Sequence, residues 1–390
     1  MTPRFPELPG VSRAALAAVS EGVAPAVAAA VRHRGEMVHL GGAGSAELVP
    51  GRRELAPGDL FDVASLTKVM ATTTAVALLV GEGALSLDEP AAARLPGFEA
   101  SGKERVTLRE LLSHSSGLPA FRPYYEEVRQ DPASADAFLS PARRPRDLEA
   151  AFARGRALVS RAVCREPLEA PPGSRALYGD PAFLALGLLV ERASGERLDA
   201  LFRGRIGAPL GLEDTFFVDE ARRGSGPERS RAFVATERCP HREEVNCGAV
   251  NDDNAYAMGG IAGHAGLFSS ARDVAALGQA WLDALSGRPG LLDPAVARAF
   301  ARRDGTPGST RALGWDTPSP AGSTIGSLLG RGPAGAIGHL GYTGCSLWID
   351  RDRELVVALL TNHVHPAGRR PAEILRFRRD FHDAVAQAVG

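Results

Sequence analysis

Strand-like segments lie at both ends of this chain, and the long stretch between them is mainly helical. Near the N-terminus, residues 26–32 and 37–40 are short apolar runs separated by a polar turn. Towards the C-terminus, residues 345–349 and 355–361 are two stronger apolar runs that a polar turn joins as a hairpin. We therefore expect an α+β fold, in which one antiparallel sheet is built from the N- and C-terminal segments and flanked by helices, with an inserted, mainly helical lobe.

The remaining elements follow from hydrophobic periodicity and from the positions of proline and glycine. A short strand is predicted at residues 60–63. Helices are predicted at residues 11–23, 67–80, 108–113, 145–163, 181–194, 199–205 and 371–389. We expect residues 1–390 to form a single unit, with an α/β lobe at about residues 1–63 and 265–390 and a helical lobe at about residues 64–264.

The composition is that of an ordinary soluble protein with a large core, because 44% of the residues are hydrophobic and 23% are charged. The net charge of −1 and the lack of a dense Lys/Arg tract argue against a nucleic-acid partner. No apolar stretch is long enough to span a bilayer, so we expect no membrane association. The first ten residues lack the apolar region of a signal peptide, which favours a cytoplasmic location.

The four cysteines, Cys164, Cys239, Cys247 and Cys345, have neither Cys-x-x-Cys spacing nor a histidine pattern that would complete a zinc site. We expect free thiols in a reduced compartment. The alternative is that Cys239 and Cys247 pair with each other or share a metal, since His241 lies between them in the sequence.

Two other patterns resemble known sites but lack the context that those sites need. Residues 330–335 match Gly-x-Gly-x-x-Gly and Asp350 follows at a suitable distance, but the next residues are too glycine-rich for the helix that dinucleotide binding requires. His363 and His365 alternate at a strand end and could bind a metal, although histidines there are more often structural. We therefore expect neither a cofactor nor a metal.

A lysine near the predicted start of a helix is the strongest chemical signal. Only two of the 45 basic residues are lysines, and Lys68 stands three residues after Ser65. Arginine stays protonated in proteins, whereas lysine can lose its proton and act as a base. Ser65 and Lys68 would share one helix face at the N-terminus, where developing negative charge is favoured. This is the arrangement of an activated nucleophile; the alternative is an N-cap serine followed by a surface lysine.

Two further short motifs follow in the same order as in a known family. Tyr178-Gly-Asp180 lies in a loop before a predicted helix, and His339-Leu340-Gly341 lies ahead of the C-terminal strand pair. With Ser65-Leu-Thr-Lys68, these motifs resemble the Ser-x-x-Lys, Tyr-x-Asn and Lys-Thr-Gly motifs of the serine β-lactamase and penicillin-binding-protein superfamily. The chain is most similar to the class C β-lactamase-like serine hydrolases, which include family VIII carboxylesterases and D-amino-acid peptidases. Residues 111–119, 262–273 and 361–366 also resemble loops of this family.

The resemblance implies a β-lactamase/transpeptidase-like fold and a role for each motif residue. Ser65 would be the nucleophile that forms an acyl-enzyme, and Lys68 with Tyr178 would form the base system, with the proton acceptor undecided between them. The oxyanion hole would be formed by the backbone N–H groups of Ser65 and Tyr342. The implied substrate-binding residues are Asp180, His339, Leu340 and Gly341. For His114 and His264 we expect loop-anchoring roles.

Departures from the family motifs indicate a substrate class. His339 is only partly protonated near neutral pH at its reference pKa, and Leu340 lacks the threonine hydroxyl, so a β-lactam carboxylate would be bound less well. Asp180 replaces an asparagine and would tend to hold Lys68 protonated, which favours Tyr178 as the base. We expect a carboxylesterase that acts on small esters. The alternatives are a D-stereospecific peptidase or weak β-lactamase on ester- or amide-type small molecules, and a non-catalytic binding or assembly member of the fold.

Overall fold

The computed structural model describes residues 6–145, 147–223, 230–319, 322–366, 368 and 370–390. Two predictions fall partly outside the described residues. Residues 1–5 belong to the segment in which we expect no signal peptide, and residue 146 lies near the predicted start of a helix. The strands in the described part of the chain are β1 (Ala26–His33), β2 (Glu36–Glu47), β3 (Arg53–Glu54), β4 (Phe61–Asp62), β5 (Phe216–Phe217), β6 (Arg238–Cys239), β7 (Glu244–Val245), β8 (Leu267–Ser269), β9 (Ala336–Leu340), β10 (Ser346–Asp350) and β11 (Leu355–Thr361).

One six-stranded antiparallel sheet combines the two ends of the chain, in the order β3-β2-β1-β11-β10-β9. The first long strand, β1, pairs directly with the last strand, β11, so that Val27 lies opposite Thr361 and His33 lies opposite Leu355. A second, three-stranded sheet has the order β4-β8-β5. The predicted α+β fold, with a sheet built from N- and C-terminal segments, is therefore confirmed.

Helices cover both faces of the large sheet and fill the middle of the chain. The α-helices in the described residues are α1 (Pro9–Ser20), α2 (Thr74–Gly81), α3 (Leu108–Leu112), α4 (Tyr125–Gln130), α5 (Glu149–Arg165), α6 (Pro181–Ser194), α7 (Leu198–Leu201), α8 (Ala208–Leu210), α9 (Asp253–Ala257), α10 (Ala271–Leu285), α11 (Pro294–Ala301) and α12 (Pro371–Val389). Residues Lys68–Thr73 and Phe202–Gly207 are π-helical.

The alternation of side chains along β11 explains how the sheet is covered on two sides. Val357 and Leu359 pack in a core with α1 and α12, whereas Val356, Ala358 and Leu360 belong to the larger core that includes α10. On α10, a Cβ atom at Gly278 would lie 2.6 Å from Val356 Cγ1, so glycine allows this helix to approach the sheet closely. All seven residues of β11 are buried, as its uninterrupted apolar sequence predicts.

The predicted elements agree best where the hydrophobic pattern is long. The helix predicted at residues 181–194 is α6 and the one at 371–389 is α12, with the same bounds. The buried helix predicted at residues 67–80 is present over residues 66–81, although Lys68–Thr73 within it is π-helical. There the Thr74 hydroxyl donates to the Val69 carbonyl five residues earlier, at 2.8 Å, in keeping with the wider turn.

Several elements were not predicted, chiefly in the C-terminal part of the chain. Helices α10 and α11 and strand β9 are absent from the predicted set. The glycine within β9 has a packing role, because a Cβ atom at Gly338 would lie 2.2 Å from the Trp348 ring. The lobe boundaries near residues 64 and 264 stay a prediction. Across the described residues, no helix is long and apolar enough to cross a membrane, and the cytoplasmic location stays a prediction.

Candidate active site

A cavity of about 550 Å³ opens at the edge of the large sheet, beside the turn that carries Ser65. Its walls include most of the residues singled out in the sequence, which lie far apart along the chain. These are Ser65, Tyr178, Asp180, His339, Leu340, Gly341 and Tyr342. Lys68 lies buried behind this wall and contacts Ser65 directly. The three motifs therefore meet at one place.

Ser65 follows a tight turn that leads from β4 into the nucleophile helix, which we define as residues 66–81. Ala64, before it, has a φ of 49°, a left-handed conformation that costs free energy for a residue with a Cβ atom and is often found at functional sites. The Asp62 carboxylate supports the turn by accepting hydrogen bonds from the N–H groups of Ala64 and Asn251, each at 2.8 Å. Burial raises the pKa of Asp62 to about 6.

Lys68 is fully buried, so the alternative of a surface lysine is wrong. Its Nζ donates to Ser65 Oγ at 2.9 Å, to Asp180 Oδ1 at 2.7 Å and to the His264 carbonyl oxygen at 3.3 Å. Burial alone would lower the pKa of Lys68, but Asp180 and then Tyr178 outweigh it and hold that pKa above its usual value. At neutral pH Lys68 is therefore an ammonium ion whose three N–H groups each have an acceptor.

Tyr178 stands in the cavity between two histidine rings. Its ring centre lies 4.7 Å from that of His114 and 5.7 Å from that of His339. The next residue, Gly179, is pressed against the backbone, since a Cβ atom there would lie 2.6 Å from the Pro119 oxygen. His114 Nδ1 accepts the Gly179 N–H at 3.3 Å, a contact in keeping with the loop-anchoring role expected for this histidine.

His339 lies on the edge strand β9 and is almost completely buried. Its Nδ1 donates to the Leu340 carbonyl at 2.9 Å, and Nε2 has no hydrogen-bond partner in the described part of the protein. Burial, together with the positive charges of Arg311 and Lys68, holds the pKa of His339 well below its usual value. The expectation of a partly protonated histidine is therefore wrong, because His339 is neutral at physiological pH.

The segment after His339 is fastened to the turn that carries Ser65. The Thr343 hydroxyl donates to the Asp62 carbonyl at 2.9 Å, and Arg378 donates to the Gly341 carbonyl at 2.7 Å. A Cβ atom at Gly341 would lie 2.6 Å from the Val63 oxygen, so only glycine allows the two segments to approach this closely. Ser65 and Tyr342 consequently line the same cavity.

Arg311 also lines the cavity, and sequence reasoning missed it. Its guanidinium carbon lies 4.8 Å from the centre of the Tyr178 ring. Among the described residues this guanidinium forms no hydrogen bond, and its ion pair with Asp316 is long, at 3.7 Å. Arg311 thus supplies a positive charge to a cavity in which the neutral His339 supplies none. In a chain with 43 arginines, no sequence signal sets this one apart.

One group of side chains has the residue types and proximity of a metal site. Potential ligand atoms of Asp180, Asp252 and His264 lie within 4.8 Å of one another. The group is already compensated within the protein, since Lys68 forms the ion pair with Asp180 and His264 Nε2 lies 2.8 Å from Asp252 Oδ1. These contacts account for the cluster without a metal.

The other candidate ligands lie elsewhere and have backbone partners. His363 Nδ1 lies 2.6 Å from the Val23 oxygen, and His365 Nδ1 lies 2.6 Å from the Thr236 oxygen, so both histidines hold loops together. The four cysteines are free thiols, so the alternative of a disulfide between Cys239 and Cys247 is wrong.

Comparison with known proteins places the chain among hydrolases. A family model described as Beta-lactamase matches residues 13–378. An N-acetylmuramyl-L-alanine amidase of Bacillus subtilis (strain 168) is 31% identical over 347 residues, covering 84% of this chain and 73% of that protein. A putative D-alanyl-D-alanine carboxypeptidase of Escherichia coli (strain K12) is 32% identical over 335 residues, covering 79% of this chain and 70% of that protein.

Solved structures share the fold at lower sequence identity. EstCE1, a hydrolase with promiscuous acyltransferase activity, aligns with a TM-score of 0.70 and 21% identity, over 97% of this chain and 98% of the other. A family VIII carboxylesterase aligns with a TM-score of 0.68 and 18% identity, over 98% of both chains. At these identities the similarity shows a shared fold alone.

Proposed function

This chain belongs to the beta-lactamase family and is a serine hydrolase, and on that premise we propose that it acts through a Ser65–Lys68–Tyr178 acyl-enzyme mechanism. The observation that carries the proposal is the 2.9 Å contact between Ser65 Oγ and a lysine that is fully buried and tied to Asp180. A serine beside a positioned proton-transfer system is the arrangement that nucleophilic catalysis requires.

The raised pKa of Lys68 favours Tyr178 as the proton acceptor. Ser65 Oγ attacks the substrate carbonyl carbon, and its proton passes to the side-chain oxygen of Tyr178, the general base in this proposal. Lys68 remains an ammonium ion and offsets the negative charge that develops at Ser65. The Tyr178 O–H then returns the proton to the leaving group, which departs with the electrons of the broken bond.

Deacylation repeats these steps with water as the nucleophile. Water gives one proton to Tyr178 and its oxygen to the acyl carbon, and the proton then passes to Ser65 Oγ as the carboxylic acid product leaves. In both steps the backbone N–H groups of Ser65 and Tyr342 would bind the oxyanion. The hydrogen bond from Thr343 to Asp62 supports this assignment, because it ties the two backbone segments together.

Small neutral esters are the substrate class that we propose first. A neutral His339 and the aliphatic Leu340 offer neither the positive charge nor the hydroxyl that the lactamase motif supplies. A charged hydrogen bond to a substrate carboxylate contributes about 1.5–3 kcal/mol, so its loss would weaken β-lactam turnover more than ester turnover.

Arg311 favours a second candidate, a peptide-like amide that carries a free carboxylate. Its guanidinium forms no hydrogen bond among the described residues and could bind a carboxylate through two parallel hydrogen bonds. The relatives named D-alanyl-D-alanine carboxypeptidase and N-acetylmuramyl-L-alanine amidase make this class worth testing on the same catalytic residues.

Covalent labelling tests the nucleophile. A fluorophosphonate probe should add one mass to the wild type and none to Ser65→Ala, as measured by intact-mass spectrometry. Ser174→Ala is the matched control, because Ser174 is an exposed loop serine outside the cavity. Equal labelling of wild type and Ser65→Ala would contradict the assignment of Ser65.

Arg311→Gln separates the two substrate classes. If carboxylate binding matters, kcat/KM for D-alanyl-D-alanine peptides should fall by about 10- to 100-fold, with p-nitrophenyl butyrate turnover unchanged. Arg302→Gln removes a charge from an exposed position that does not line the cavity and should leave both unchanged. A wild type that hydrolyses the ester and not the peptide supports the esterase proposal, and the reverse supports the second candidate.

A further inference from the structure

The segment of residues 262–267 is fastened along the nucleophile helix. Three hydrogen bonds join the two elements: Thr72 Oγ1 to the Gly263 carbonyl at 2.6 Å, Lys68 Nζ to the His264 carbonyl at 3.3 Å, and the Leu267 N–H to Thr67 Oγ1 at 3.1 Å. The second of these bonds reaches the lysine that contacts Ser65. The position of the His264 backbone is therefore linked to the geometry of the nucleophile.

Two glycines allow this segment to lie so deep in the protein. A Cβ atom at Gly263 would lie 2.2 Å from the Phe183 oxygen and 2.8 Å from the Gly187 Cα atom. Gly187 lies on α6, the helix that follows Asp180. The segment is thus held between α6 and the nucleophile helix, with little freedom on either side.

The side chain of His264 is held by the Asp252 carboxylate, which lies half-buried in the cavity wall. His264 Nε2 lies 2.8 Å from Asp252 Oδ1, and the same oxygen accepts the Ala255 N–H at 2.8 Å as the N-cap of α9. Burial would raise the pKa of Asp252, but His264 and the nearby Lys68 outweigh it and hold that pKa below its usual value. Asp252 is therefore ionised, and His264 Nε2 donates the proton of this bond.

We propose that Asp252 and His264 act as a positioning pair for Lys68. The pair fixes the His264 carbonyl, and this carbonyl is the third acceptor of the ammonium group, beside Ser65 Oγ and Asp180. With all three N–H groups engaged, one of them is directed at Ser65 Oγ. Neither residue exchanges a proton with substrate in this role. The inference rests on the proposed Ser65–Lys68–Tyr178 mechanism.

Two amide substitutions at His264 give a sharp test. In His264→Gln the amide nitrogen reaches about as far as Nε2 and can still donate to Asp252, whereas in His264→Asn it is too short. We expect His264→Asn to lower kcat for p-nitrophenyl butyrate by about 10- to 100-fold with KM unchanged, since small displacements of a catalytic group have effects of this size. His264→Gln should restore most of the lost turnover.

A double-mutant cycle tests whether the two residues act as a pair. Asp252→Ala and His264→Asn should each lower kcat, and the double variant should be little worse than either single variant, because both break the same contact. Asp252→Asn keeps an oxygen that can accept from His264 and should retain more activity than Asp252→Ala. His39→Asn is the matched control, because His39 is a buried histidine with a backbone partner at Leu8, remote from the cavity.

The outcomes distinguish this inference from the proposed function. Wild-type turnover that is lost in Ser65→Ala establishes that the reaction depends on Ser65, without reference to His264. If that holds and His264→Asn keeps the wild-type kcat, or if its loss is no different in His264→Gln, the positioning pair is wrong. Losses that add fully in the double variant would overturn it as well. Circular dichroism and thermal unfolding identify variants that fail to fold, and Asp252→Asn with His264→Gln then carry the comparison.

Discussion

Asp180→Asn isolates the interaction that holds Lys68 in its charged form. The carboxylate lies 2.7 Å from Lys68 Nζ, and the lysine side chain is fully buried. Asparagine keeps an oxygen that can accept the same hydrogen bond but removes the negative charge. Breaking a buried ion pair outright costs about 3–5 kcal/mol, and a hydrogen bond to a charged group contributes about 1.5–3 kcal/mol. Because asparagine retains such a hydrogen bond, we expect Asp180→Asn to lower the free energy of unfolding at pH 7 by about 1.5–2 kcal/mol, the difference between these two ranges.

The pH dependence of this loss follows from the pKa of Lys68. In the wild type that pKa is raised, so its stabilising contribution is complete below the unfolded value near 10.5 and is lost only above it. In Asp180→Asn, burial is no longer offset by the carboxylate, so the folded pKa falls below the unfolded value. Between that lowered pKa and the unfolded value near 10.5, the unfolded variant binds more protons than the folded variant. The stability of the variant therefore rises with pH across this range. The difference in unfolding free energy between the two proteins should therefore shrink as pH rises from 7 towards 10.5.

Urea unfolding at pH 7, 8, 9 and 10 measures this difference directly. Glu191→Gln is the matched control, because Glu191 pairs with Arg156 at 2.6 Å and arginine stays protonated throughout this range. Its stability loss should not shrink with pH in the same way. A variant as stable as the wild type at pH 7, or a loss as pH-independent as that of the control, would refute the account of Lys68 as an ammonium held by Asp180.

Three further predictions concern the same site. Lys68→Arg should lower kcat by about 10²-fold, the range for losing proton-transfer help. Lys103→Arg, at the other buried lysine, should lower stability and leave kcat unchanged. If the two variants had the same kcat, this prediction would be contradicted. Gly187→Ala should lower both stability and kcat, because its Cβ atom would lie 2.8 Å from Gly263 Cα; thermal unfolding and ester turnover check it. His339→Lys should raise nitrocefin turnover relative to p-nitrophenyl butyrate by about tenfold or more, and an unchanged ratio would count against the substrate reasoning.

The sequence predicted the parts of the site that short motifs encode. Ser65 and Lys68 are three residues apart, so their proximity follows from local geometry alone. Tyr178, Asp180 and His339 were expected beside them only through the family resemblance, and the structure brings them to the same cavity. Their catalytic roles stay proposals. The helices and strands with long apolar patterns were predicted for a related reason, since burial of one face is a local requirement.

What the sequence could not give depends on contacts between distant segments. The neutrality of His339 comes from its burial and from two cations that approach it from elsewhere in the chain. Arg311 stands in an irregular loop, and its importance arises only from its position over Tyr178. The contact between residues 262–267 and Lys68 could not be predicted from the sequence either. Lys68 donates to a backbone carbonyl, a group that every residue type carries.

A comparison of the two lysines shows how far the rarity of lysine in this sequence indicates a catalytic role. Both are fully buried, and both use a compact ammonium to reach several acceptors. Lys103 donates to the carbonyls of Ala100 at 2.8 Å and Glu166 at 2.6 Å, so its place is explained by packing. Burial lowers the pKa of Lys103, whereas Asp180 raises that of Lys68. Scarcity therefore marks positions that need an ammonium, and only the partners of Lys68, a serine hydroxyl and a carboxylate on a cavity wall, make that ammonium a candidate for catalysis.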